Sequence, residues 1–319
     1  MYRICIISAY FGRFPNYFKL WLNSCERNST LDFLLVTDQH IDDLPSNVIL
    51  KAISFEELKV LIDNKIGITK GLVSPYKLCD FKPLYGAIFE DFLIGYDFWG
   101  HCDMDLIWGD IRKFVTDDIL QEYDKIFPMG HLSLYRNNKD NNMAFMLPGS
   151  KRGNWREVMS LPISCVFDET YGIDKIYETN SLPIYMKHVA ADIGFRNQRM
   201  IVEGGEIENY SSQLFLLKDG KVLRAYYDNG KVAFDEFCYI HMQKRQYEDP
   251  PNDLSSNFII GQNRFILYNG ETITKELIDS VNPPRSSVYE RLEYFLKDYV
   301  FRITRRIKNY KILYYAQNK

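Results

Sequence analysis

The chain has 319 residues, 46% of them hydrophobic and 15% aromatic, and its 39 basic and 42 acidic side chains leave a net charge of −3. A charged share of 25% beside so many apolar residues excludes a disordered chain, and the slightly acidic balance excludes nucleic-acid binding through overall charge. At roughly 150 residues per domain the length fits about two domains, or one large α/β domain with a tail, and a core of that size needs no staples.

Along the chain, the Ile-rich run from Ile4 to Ala9, closed by Gly12, predicts a buried first strand. The same run is too short for a signal peptide and lacks a cleavage site. Tyr17, Leu20, Trp21 and Ser24 repeat at helical spacing, and Asp32 to Asp38 predicts a second strand. A helix is expected over 55–63, a longer one from Pro75 to Leu93, and a third strand from Tyr96 to Cys102. Strands alternating with helices in this way argue for βαβ units, hence a sheet with helices on both faces.

The middle is less regular. Ile126 to Met129 and Asn142 to Leu147 read as strands, Trp155 to Leu161 as a helix, and 174–185 as helical or mixed. Leu214 to Leu217 and Val222 to Tyr227 flank an Asp-Gly turn and form a hairpin, and the pairs Pro250-Pro251 and Pro283-Pro284 mark the end of the body. The expected division is therefore a body over 1–285 and a tail over 286–319. In the tail Tyr289, Leu292, Phe295, Tyr299 and Ile303 keep helical spacing, and from Tyr299 onward the charges are all basic: Arg302, Arg305, Arg306, Lys308, Lys311 and Lys319. A helix of this kind either lies on an anionic membrane surface or docks on the body with its basic face solvated.

Six cysteines without a C-x-x-C pair, in mostly apolar surroundings, read as free thiols in a reducing compartment. No apolar run reaches the length of a spanning helix. The expected location is cytoplasmic, with peripheral attachment to the cytoplasmic face of the membrane if the tail binds lipid.

The chemistry concentrates in Tyr96-Asp-Phe-Trp-Gly-His-Cys-Asp103-Met-Asp105. Two carboxylates one residue apart, directly after a buried strand, leave a sheet at its carboxyl end, where open α/β sheets bind ligands. Asp103 and Asp105 can share a hard divalent ion that neutralises a diphosphate. His101 precedes them and is expected to point away. This stretch resembles the D-x-D motif of nucleotide-sugar-dependent glycosyltransferases of the GT-A fold. Together with Ser74-Pro-Tyr-Lys-Leu-Cys-Asp-Phe-Lys-Pro83 it resembles, more narrowly, a bacterial family found among capsule and lipopolysaccharide biosynthesis proteins. The likeness covers about residues 1–250.

The resemblance implies a GT-A mixed sheet and a hexosyltransferase that uses Mn2+ or Mg2+. Its donor would be a nucleotide sugar, UDP-linked, and its acceptor a surface glycan or lipid-linked oligosaccharide. Ser8, Ala9 and Tyr10 would hold the uracil and ribose, with Thr37 and Asp38 approaching the same nucleoside. Lys77 and Asp80 would face the diphosphate and donor sugar. Asp103 would contact ribose or metal, Asp105 the metal, and His241 would complete the metal shell, with Lys244 on the phosphates. Asp168 and Glu169 follow an apolar run, and one of them would serve the acceptor as base or positioning group; strand alternation allows only one to face the cleft. Asp192 is a further candidate. The plain alternatives are a turn cap for Asp38, a helix-surface ion pair for Lys77 and Asp80, and an ordinary buried imidazole for His241. Other functions on such a fold are a nucleotidyltransferase or sugar pyrophosphorylase, disfavoured by the aromatic turn Tyr10-Phe-Gly-Arg-Phe14, and a catalytically silent glycan-binding domain.

Overall fold

The computed structural model describes residues 1–253 and 255–317, apart from the side chains of Ser287 and residues 315–317. In chain order come β1 (Ile4–Ala9), β2 (Asp32–Thr37), β3 (Val48–Ala52), β4 (Phe98–Cys102) and β5 (Leu106–Trp108). Next are β6 (Lys125–Met129), β7 (Leu132–Arg136), β8 (Ile184–Tyr185), β9 (Ala190–Asp192) and β10 (Gln213–Lys218). The last are β11 (Lys221–Asp228), β12 (Lys231–Phe237), β13 (Tyr239–His241), β14 (Asn257–Ile260) and β15 (Phe265–Tyr268).

Seven of these strands form a mixed sheet of order β3-β2-β1-β4-β7-β6-β8, in which β7 alone runs against the rest. Alternation divides its central strands between two cores. Cys5, Ile7, Leu34 and Val36 face one side, against Leu58 and Ile62 of the helix Phe55–Ile66. Ile4, Ile6, Phe33 and Leu35 face the other, against Trp21 and Cys25 of the helix Phe18–Arg27. Strands covered on both faces read as continuous apolar runs, which is why β1 and β2 are recognisable by eye. The helix Phe55–Ile66 is framed by a Ser54/Glu57 capping box and by Gly67 in the left-handed region.

A second, antiparallel sheet has the order β12-β11-β10-β14-β15. The Asp219-Gly220 turn forms as expected, with both residues at positive φ (51° and 76°), and an Asn229-Gly230 turn (48° and 82°) adds β12 in the same way. A small third sheet, β5-β13-β9, joins the two.

Two expectations fail. The stretch 75–92 is a series of short helical turns rather than one helix, broken where Pro83 lacks the amide that would continue the ladder. Asn142 to Leu147 is helical, not a strand: Asn138 caps the turn Lys139–Asn142 by accepting from the Asn141 amide, and a second turn covers Ala144–Met146. Past Pro250-Pro251 the chain continues through β14, β15 and the helix Lys275–Val281.

The C-terminal helix Ser287–Gln317 docks on the body through one side. Arg199 pairs with Glu290 at 2.9 Å and Arg196 with Asp298 at 3.0 Å, while Phe301 packs edge-on against Phe195. Among the described residues no helix is long and apolar enough to cross a membrane. All six cysteines are free.

Candidate active site

A cleft of about 1110 Å³ opens at the carboxyl ends of β1 and β4. Strand pairing assembles its acidic centre. After β4 the chain turns at Asp103-Met-Asp105 and leaves the large sheet as β5, which pairs with β13 so that His241 lies opposite Leu106. On its other side β13 pairs with β9, setting His241 opposite Asp192. The Met242 amide donates to the Asp105 carbonyl at 2.9 Å and fixes this approach. Ligand atoms of Asp103, Asp105 and His241 thereby lie within 4.8 Å of one another. Two carboxylates and an imidazole suit Mn2+ well and Mg2+ acceptably.

His241 reaches Asp105 through Nε2 at 3.3 Å and donates from Nδ1 to Asp192 at 2.8 Å. Asp192 also accepts from Gln243 at 2.8 Å. It does not line the cleft; it stands behind the imidazole, where a carboxylate fixes the tautomer and orientation of a metal-binding histidine. Burial pulls the His241 pKa down, but Asp105 and Asp192 outweigh it and hold the value well above the ordinary one. Burial also acts against the Asp192 carboxylate, and here too the bond from His241 and the nearby His131 prevail and lower its pKa.

Lys82 is the buried cation beside the acidic centre, and sequence reasoning missed it. Its Nζ donates to Asp103 at 2.6 Å and to the Gly130 carbonyl at 2.8 Å, and lies 3.2 Å from Asp168. One ammonium cannot neutralise two carboxylates fully. Asp103 is held below its ordinary pKa, its burial outweighed by Lys82 and His241. Asp168 is pushed up to about 8 by burial, against Lys82 and with help from Glu169 and Asp103. The only hint was its place immediately before Pro83, where a helix must break.

The pair expected at the diphosphate, Lys77 and Asp80, is instead 1% and 0% exposed. Lys77 Nζ donates to Asp80 at 2.6 Å and to the carbonyls of Val158 and Ile163. Asp80 accepts from the Cys165 and Phe167 amides at 2.9 and 2.8 Å. They are not a surface pair; together they pin the segment that delivers Asp168. That segment is no strand. Val166 sits at φ 60°, alternation does not hold, and both Asp168 and Glu169 line the cleft, Asp168 buried and Glu169 exposed. Gly130 packs beneath them, and a Cβ there would lie 2.9 Å from both side chains.

Ser8, Ala9 and Tyr10 line the cleft as expected, and so does Lys244, at the rim over the Phe301 ring. Thr37 and Asp38 do not: Thr37 is fully buried, and Asp38 accepts from the Gly12 amide at 3.3 Å and from Gln39, steadying the loop after β1. His101 is wholly buried against Tyr135 and off the cleft. His131, which carried no sequence signal, lines the cleft beside His241, with ring centroids 4.3 Å apart, and shares a hydrogen bond with Tyr239.

The chain belongs to the family described as a family of unknown function, DUF6625, whose model matches residues 6–269. No curated protein matches it by sequence. Among solved structures it is similar to the galactosyltransferase LgtC in complex with donor and acceptor sugar analogs, at 9% identity over 59% of this chain and 75% of that one, with a TM-score of 0.36. An active-site mutant of LgtC is similar at 10% identity, over 59% and 74%, with the same TM-score. The superposition is loose at that level.

Proposed function

We propose that this chain is a metal-dependent glycosyltransferase, moving a hexosyl group from a nucleoside diphosphate donor, UDP-linked, to a bacterial surface-glycan acceptor. One observation carries the reading: the neighbouring Asp103 and Asp105 meet His241, distant from both in sequence, at the carboxyl edge of the sheet with Asp192 braced behind it. A divalent ion held there supplies charge compensation for a leaving diphosphate.

The chain's own groups supply the rest. The exit of β1, Ser8 to Tyr10, offers backbone and an aromatic face to the nucleoside. Lys82, buried and paired with Asp103, adds fixed positive charge close to where the diphosphate departs. Asp168, held by Lys82, positions its neighbour; Glu169, the exposed member of the pair, reaches the acceptor hydroxyl. In this reading 1–285 is the catalytic body and 286–319 attaches it to the cytoplasmic face of the membrane. Support for attachment comes from the outer side of the C-terminal helix, where Leu292, Phe295, Tyr299, Ile303, Ile307 and Tyr310 are between 39% and 70% exposed, with Arg302, Arg306 and Lys311 beside them.

Calorimetric titration of the full chain with UDP, with and without Mn2+, tests the proposal. Metal-dependent binding is expected, with slow manganese-dependent hydrolysis of a UDP-sugar. Binding of UDP that ignores the metal removes the reading, and a nucleoside triphosphate consumed with release of diphosphate points to nucleotidyl transfer instead.

A further inference from the structure

Beside the cleft, and continuous with it, a groove of about 340 Å³ runs between the C-terminal helix and the body. Pro162 and Ile163 form its body wall, Phe301 and Ile312 its helix wall. Lys244, Arg305 and Lys308 stand along it, and Lys244 and Arg305 line the cleft as well. Lys244 lies over the Phe301 ring at 4.3 Å and Lys308 over the Tyr76 ring at 5.8 Å. Among the described residues none of these three cations has an acidic partner within ion-pair distance; Arg305 is half-buried and Lys244 and Lys308 are exposed. Burial, with Arg196, Arg305 and Lys308 close by, holds the Lys244 ammonium below its ordinary pKa. Crowded like charges of this kind are relieved by an anion.

A small free anion would not use the apolar walls, and a neutral chain would leave the cations unanswered. We propose that the groove is the acceptor subsite and takes an amphipathic phosphate ester, with its phosphate or diphosphate head among Lys244, Arg305 and Lys308. The apolar chain lies on Ile163, Phe301 and Ile312. The head group then stands at the junction with the cleft that Glu169 also lines. The word acceptor rests on the glycosyl-transfer reading; the chemistry of the ligand does not.

The test titrates decyl phosphate, below its micelle concentration, into the full chain in EDTA, with decyl maltoside and inorganic phosphate as matched probes. Decyl phosphate is expected to bind about tenfold more tightly than either, since charge-assisted contacts add to chain burial. Ile163→Glu on the body wall, and Arg305→Glu with Lys308→Glu on the helix wall, are each expected to weaken it by about tenfold or more. Where Ile163→Glu does not fold, Ile163→Ser replaces it. Equal binding of decyl phosphate and decyl maltoside overturns the proposal, because only the chain is then recognised. Loss in the helix variant with full binding in the Ile163 variant also overturns it, placing the ligand on the outer side of the helix. Decyl phosphate binding together with absent metal-dependent UDP binding upholds the ligand and overturns its role as acceptor.

Discussion

At the scale of single residues the centre of the molecule is a balance of charge around His241. The imidazole lies between Asp105 and Asp192, which hold its pKa well above the ordinary value, so in the proposed function it would meet a metal carrying a proton. A divalent ion must displace that proton. Below the raised pKa the metal affinity is therefore expected to rise with pH by about tenfold per unit and to level off above it. Manganese calorimetry in buffers of different ionisation enthalpy should show about one proton released per ion bound; no release would mean that His241 is not a ligand. Asp105→Asn removes one anionic ligand while leaving packing untouched. Turnover is expected to fall by about a hundredfold or more with the fold retained, and near-normal turnover in this variant, or in excess EDTA, would dismiss the metal mechanism.

At the scale of elements, the segment 163–169 is held from below rather than by any ladder of its own. Lys77 and Asp80 are both fully buried, and each spends its remaining hydrogen bonds on the backbone of this segment or of Val158. Removing one partner leaves an uncompensated charge in the core, so Lys77→Met is expected to cost about 3 to 5 kcal/mol in urea unfolding. Lys77→Met combined with Asp80→Leu should cost less than the two single losses added, because no lone charge remains. Additive losses would show that the pair does not act as a unit. This was hidden in the sequence. A lysine and an aspartate three apart look like any surface pair of a helix; burial came from packing against 158–167, more than 80 residues away. Lys82, five residues on, is the one that turns into the cleft, because the chain breaks at Pro83 and redirects it.

At the scale of the whole molecule, the C-terminal helix has two working sides. One docks through Arg196, Arg199 and Phe195; the other leaves a row of apolar side chains open to solvent. Arg302, Arg306 and Lys311, which stand beside that row, at about 1 kcal/mol each near an anionic surface, would give reversible attachment. The full chain is expected to co-sediment with phosphatidylglycerol vesicles at low salt and to be released as salt rises. Phe295→Asp with Ile303→Asp should abolish sedimentation without changing the fold. A full chain that ignores such vesicles would leave the helix a structural element only.

The residue order alone determined the elements whose pattern is local. β1, β2 and β4 are covered on both faces and so read as apolar runs, the Asp219-Gly220 hairpin is set by the positive φ its turn requires, and the pair Asp103 and Asp105 declares itself by standing at a strand's end. Whatever depends on which distant segments meet was decided by tertiary structure. The β5-β13-β9 pairing brings His241 to Asp105 and sets Asp192 behind the imidazole. The fold buries Lys77 and Asp80, recruits Lys82 and His131, and turns both Asp168 and Glu169 into one cleft. The physical reason is that burial and charge compensation are properties of neighbours in space, and a side chain three residues from a ligand in sequence carries no mark of the segment that will cover it.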